Sequence, residues 1–139
     1  MARLLAVRAQ PNRTVKRPTI ELTGYGPALC YEECSGRWFR SDWDRVRDQL
    51  VRMQNFVADH LGLHGDLYLN LNDLFCYLGL EESNTGGLYG WLLSSGWWMQ
   101  VEPLFQTEIK ADGFRGAREP VMVIRPIEAP TKNYKERLL

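Results

Sequence analysis

Apolar residues return at alternating three- and four-residue steps through Trp43, Val46, Leu50, Met53, Val57 and Leu61, the spacing of one buried helix face. Arg45, Arg47, Asp48, Arg52 and Asp59 take the remaining faces. Ser41 with Asp44 three positions on predicts the N-terminus, the short acid standing in for the usual Glu of a capping box. Gly62 predicts the end, where a left-handed residue is wanted. A second, shorter helix follows. Asn70 predicts its N-cap, with Asp73 in the first turn near the positive end of the helix dipole. Leu71, Leu74, Phe75 and Leu78 form its apolar stripe, and Gly79 stops it.

Beyond Gly79 the period changes. Glu81 to Gly87 is a turn-rich loop, and Leu88 to Leu93 fits either a short helix or an extended segment. From Gly96, Trp98, Gln100 and Glu102 alternate with Trp97, Met99 and Val101 until Pro103 intervenes. Phe105, Thr107 and Ile109 then alternate with Gln106, Glu108 and Lys110, and Asp112-Gly113 opens a polar turn reaching Glu119. Val121 to Ile124 return, stopped by Pro126 and Pro130. The pattern is a hairpin with about six residues per arm. Before Ser41 there is little periodicity. Thr19 to Thr23 fits one short strand, and Arg37 to Arg40 fits a second strand or the approach to the first helix. The expected fold is α+β: two helices packed on a small antiparallel sheet or hairpin, with an extended N-terminal arm. The expected organisation is an arm over residues 1–40, the α+β domain over 41–130 and a loose tail over 131–139.

Composition narrows the class. At 139 residues with 45% hydrophobic and 12% aromatic side chains, the chain suits one packed domain and excludes disorder throughout. Charges balance at 17 basic and 17 acidic, but unevenly. Arg3, Arg8, Arg13, Lys16 and Arg17 precede the first acid, Glu21, so a basic arm is joined to a slightly acidic body. Leu4 to Val7 is too short for the apolar core of a signal peptide, and Ser94-Ser95-Gly96 interrupts the nearest approach to a spanning segment. Three cysteines, an odd number without a secretory signal, fit a reducing, intracellular or virion-type setting, with no membrane contact expected.

Candidate chemistry is sparse. Cys30-x3-Cys34 and His60-x3-His64 supply two thiolates and two imidazoles, a donor set that suits tetrahedral zinc. The 25 residues between the pairs exceed the roughly 12–15 of a zinc finger. Buried thiols and an ordinary polar helix end explain the same residues without a metal. Five phosphate contacts from the arm would give a log–log salt slope of roughly −4.5 on duplex DNA. The same arm equally fits a protein-docking segment or a solvated tail. Catalysis has little support. Glu32 and Glu33 are neighbours that point apart in extended chain. Ser94-Ser95 lacks a nearby histidine, and Cys76 has no basic neighbour. Thr85-Gly86-Gly87 is not followed by the Lys and Ser or Thr of a phosphate loop. Trp97 and Trp98 face opposite ways on a strand, so one is a candidate anchor for a partner together with Trp38.

Leu71-Asn72-Asp73, Phe75, Tyr77, Leu78-Gly79-Leu80, Gly90-Trp91 and the Asp112-Gly113 hairpin running to Val123-Ile124 and Pro126 form an ordered set. With Asn55 in the preceding helix, this set resembles an uncharacterised family of small phage and prophage proteins, a domain of unknown function. The resemblance covers roughly residues 45–130 and brings no assigned catalytic residues. It implies a phage-encoded protein, either a virion or assembly component or a host-directed factor. The expected function is therefore non-enzymatic protein–protein interaction with other phage proteins or copies of itself. Nucleic-acid binding through the arm is the alternative, and a zinc-stapled domain is third. Arg3, Arg8, Arg13, Lys16, Arg17, Trp38, Trp97 and Trp98 are the expected contacts.

Overall fold

Strands β1 (Ala28–Glu32) and β6 (Val121–Pro126) lie side by side and parallel, with Leu29 opposite Val121 and Glu32 opposite Ile124. The computed structural model describes residues 26–93 and 103–132. In sequence order it adds β2 (Arg37–Ser41), helix α1 (Trp43–His64), β3 (Leu67–Asn70), helix α2 (Leu71–Leu78), β4 (Tyr89–Leu93), β5 (Phe105–Lys110) and β7 (Thr131–Lys132). One sheet has the order β2-β1-β6-β5 and the other the order β3-β4-β7. Every neighbouring pair is antiparallel except β1–β6.

The α+β class and the β5–β6 hairpin agree with the pattern of the sequence, but the sheet content is larger than one small hairpin. The expected arm boundary at residue 40 also moves. Residues 28–41 are two strands of the larger sheet, not an extended arm. The reason is burial on both faces. Leu29, Cys30, Tyr31 and Glu32 are all buried, as are Val121 to Ile124, so these strands carry no polar–apolar alternation. Thr19 to Thr23 and Trp97 to Glu102, both expected as strands, lie outside the described residues.

One face of the larger sheet carries Cys30, Phe39, Phe105, Met122 and Ile124 into the main core. There they meet Val46, Met53, Val57 and Leu61 of α1, the α2 stripe, and Leu69, Trp91 and Leu93 of the smaller sheet. The opposite face carries Leu29, Tyr31, Trp38, Val121 and Val123, which Phe114 and Ala117 of the β5–β6 connection cover.

Local chemistry sets the helix ends. Asp42, not Ser41, caps α1: its carboxylate accepts from the Asp44 N–H at 2.8 Å and the Arg45 N–H at 3.4 Å. Ser41 is held as the buried last residue of β2 and is unavailable. The helix also runs past Gly62 to His64. Leu61 is anchored in the core, and the left-handed residue is Gly65, whose N–H reaches the Leu61 carbonyl. Helix α2 follows expectation throughout. Asn70 and Asp73 make a reciprocal capping box, Leu71, Leu74, Phe75 and Leu78 are buried, and Gly79 is the left-handed stop.

The ordered motif around α2 is scaffold. The Asn72 amide accepts from the Ser83 N–H at 2.9 Å and donates to the Ser83 carbonyl at 3.0 Å, pinning the following loop. A Cβ at Gly86 would stand 2.2 Å from that amide oxygen. At Gly90 a Cβ would stand 2.0 Å from the Leu69 carbonyl oxygen, so β3 and β4 approach closely only because this residue is glycine. Gly90→Ala is expected to destabilise the protein by more than Asn70→Ala, whose lost cap costs about 1 kcal/mol. Urea unfolding midpoints of the two variants check the order.

Candidate interaction surface

Among the described residues, β5 has a single strand neighbour, β6, and so forms one edge of the larger sheet. Phe105, Thr107 and Ile109 face the helix side, opposite Pro126, Ile124 and Met122. Only Phe105 is buried; Ile109 is 39% exposed. Helix α1 stops short of closing over this strand. Between them runs a groove of about 290 Å³ lined by Arg47, Leu50, Val51, Gln54, Pro103, Phe105 and Thr107. Val51, on its rim, is 56% exposed. The Gln54 side chain accepts from the Leu104 N–H at 2.9 Å and fixes the strand's start against the helix.

The other side of β5 is charged. Glu108 pairs with Lys110 at 2.8 Å and with Arg125 at 2.7 Å, and Arg125 also reaches Glu33 at 2.9 Å. The hydrogen bonds from Lys110 and then Arg125 hold the Glu108 carboxyl below its ordinary value. The edge thus offers an apolar row on one side, alternating charge on the other and, among the described residues, no strand paired along its outer side. That is the arrangement an added strand recognises. The alternation of residues 105–110 made the strand legible. Its place at the edge depends on long-range pairing and carries no local signal.

Trp38 is a core residue and not a surface contact. It is 7% exposed, and its ring lies 4.6 Å from Tyr31 and 6.2 Å from Phe114. Covering it is the connection between β5 and β6, where Arg115 takes left-handed backbone (φ 49°) and places its guanidinium 5.0 Å from the Tyr31 ring centre. Two hydrogen bonds from Arg40 to Glu119, at 2.7 and 2.6 Å, fasten the far end. Arg3, Arg8, Arg13, Lys16, Arg17, Trp97 and Trp98 lie outside the described residues.

The four candidate zinc ligands do not form one site. Among the described residues, no group of three or more His, Cys, Asp or Glu side chains converges to hold a metal ion. Cys30 points into the main core, where burial pushes its thiol up to about 12 despite the opposing Arg40 charge. Cys34 sits in the β1–β2 turn, its thiol pushed up by burial and then by Glu32. Glu32 is itself fully buried, accepting from the N–H groups of Cys34 and Ser35 and from the Ser35 hydroxyl. His60 and His64 are neighbours on the last turns of α1.

The family match spans both the folded body and most of the basic arm. The chain belongs to the family of unknown function DUF6353, which matches residues 6–135. Arg8, Arg13, Lys16 and Arg17 therefore fall inside the family pattern. No curated protein and no solved structure matches the chain. Among the described residues, no helix is long and apolar enough to cross a membrane.

Thiol labelling tests the cysteine assignments. Exposed Cys76 is expected to react rapidly in the native protein, with Cys30 and Cys34 following only on unfolding, when all three become accessible. A pH series tests the fastening of the covering connection. The Arg40 hydrogen bonds lower the Glu119 carboxyl below its ordinary 4.5, so the pair's contribution is complete above that range and is lost as pH falls through the lowered value. The urea midpoint of the wild type should consequently drop more between pH 7 and pH 3 than that of Arg40→Gln.

Proposed function

We propose that the protein works by associating with other protein chains, and that β5 is the docking edge through which copies of it pair. The observation that carries this reading is the self-complementary order Glu108-Ile109-Lys110 on an edge strand. When two such strands meet antiparallel about a two-fold axis at Ile109, Glu108 of each copy faces Lys110 of the other. The half-exposed Ile109 side chains meet on the opposite side. Cross-strand opposite charges and apolar pairs each favour this register by about 0.2–1 kcal/mol. The groove beside α1 leaves room for alternate side chains of the added strand.

A virion or assembly role in a phage or prophage setting is the finer reading. Its support is the ordered pattern from Leu71-Asn72-Asp73 to Val123-Ile124, and repeated self-pairing suits a component of an assembly. The chemistry asked of the protein is recognition, with no reaction assigned to it.

Sedimentation velocity on the full chain is the test. Concentration-dependent association is expected for the wild type and for Lys110→Arg. Lys110→Glu, which sets carboxylates against Glu108 in both copies, should shift the protein to monomer, as should Ile109→Arg. Removing residues 1–18 should leave association unchanged. A wild type that is monomeric at all concentrations overturns the self-pairing. If DNA retention with a steep salt dependence is abolished by the same truncation, the arm is instead a nucleic-acid contact.

A further inference from the structure

We propose that His60 and His64 form a bidentate site for one divalent transition-metal ion of the imidazole-preferring class, copper(II), nickel(II) or zinc(II). The two residues lie one turn apart near the C-terminal end of α1, at the i, i+4 spacing that places side chains on the same helix face. Their ring centres are 5.0 Å apart. Metal–nitrogen bonds of about 2.0–2.1 Å, with each ring centre about 1.1 Å behind its nitrogen, put two imidazoles that meet an ion at about 90–110° roughly 4.5–5.2 Å apart. The observed spacing falls within that range before any ion is bound. His64 is exposed and His60 half-buried, so both rings can turn toward a shared ion without disturbing the core.

Two features of the helix favour the site. The last turn is anchored from below, by buried Leu61 and by the Gly65 N–H bonded to the Leu61 carbonyl, which keeps the histidine backbones in register. The helix C-terminus carries the negative end of the macrodipole, which stabilises a cation placed there. The Phe56 ring, 6.1 Å from that of His60, flanks the site on its N-terminal side. This site is separate from the four-ligand arrangement of the sequence spacing. It uses no thiol, and water completes the coordination shell. Neutral nitrogen donors without a carboxylate select copper, nickel and zinc over magnesium and calcium, which require oxygen ligands.

Calorimetric titration of the tag-free full chain with copper(II), nickel(II), zinc(II) and magnesium(II) chlorides in a non-coordinating buffer tests the proposal. One saturable ion per chain is expected, tightest for copper and undetectable for magnesium. His60→Gln and His64→Gln should each weaken nickel binding tenfold or more while leaving the far-ultraviolet circular dichroism unchanged. A second readout is thermal: saturating nickel should raise the unfolding midpoint of the wild type and leave both variants unmoved, because an ion bound only by the native helix stabilises it. Absence of saturable binding by the wild type overturns the proposal. So does nickel binding of undiminished affinity in either single variant, or magnesium binding equal to that of nickel.

Discussion

The larger sheet must be covered on both faces, and the rest of the architecture answers that demand. Its central strands β1 and β6 present apolar side chains in both directions, and an uncovered face would leave Leu29, Tyr31, Trp38, Val121 and Val123 in water. Fully burying one such side chain contributes about 1.5–3 kcal/mol, far more than any exposed ion pair on this surface. One face is covered by α1, α2 and the smaller sheet. Among the described residues, the other is covered by the connection between β5 and β6. That connection bends back through glycines and a left-handed Arg115 to bring Phe114 over the aromatic pair. The strained backbone at Arg115 is thus tied to coverage, with its guanidinium over Tyr31 as compensation.

Polar groups inside the body serve geometry. Glu32 gathers the β1–β2 turn, Asn72 the loop after α2, and Gln54 the start of β5. Each replaces backbone partners that an irregular segment would otherwise lack. Residues that look like chemistry along the chain, an acidic pair at Glu32-Glu33 and an asparagine-aspartate pair at Asn72-Asp73, are accounted for by these contacts. What remains unabsorbed lies at the surface: the β5 edge and the end of α1.

Legibility in the sequence followed the range of the interactions. Helix α2 was readable to the residue because its caps, stripe and stop all lie within ten positions. Helix α1 was readable in its face but not at its ends, since Ser41 and Asp42 are both capping types and only the pull of β2 on Ser41 separates them. Strand β1 was hidden because burial on both faces erases alternation, and its parallel partner is far along the chain. Trp38 looked like a contact because its outward face is covered by residues more than seventy positions away. The spacing within each cysteine and histidine pair suits zinc in one dimension, yet Cys30 is turned into the core. The β5 alternation was visible, whereas its edge position was not.

Arg125 and Glu33, an ion pair bridging β6 and the end of β1, are 92 residues apart in sequence. That separation has a temporal meaning during synthesis. Strand β1 emerges from the ribosome before β6 and cannot gain its parallel neighbour until β6 follows, at about 5–20 residues per second. Until then Leu29, Tyr31 and Trp38 belong to a two-stranded ribbon with one apolar face open, and such isolated hairpins are marginal in water. The nascent chain therefore passes through a window of several seconds in which Tyr31 and Trp38 are unprotected.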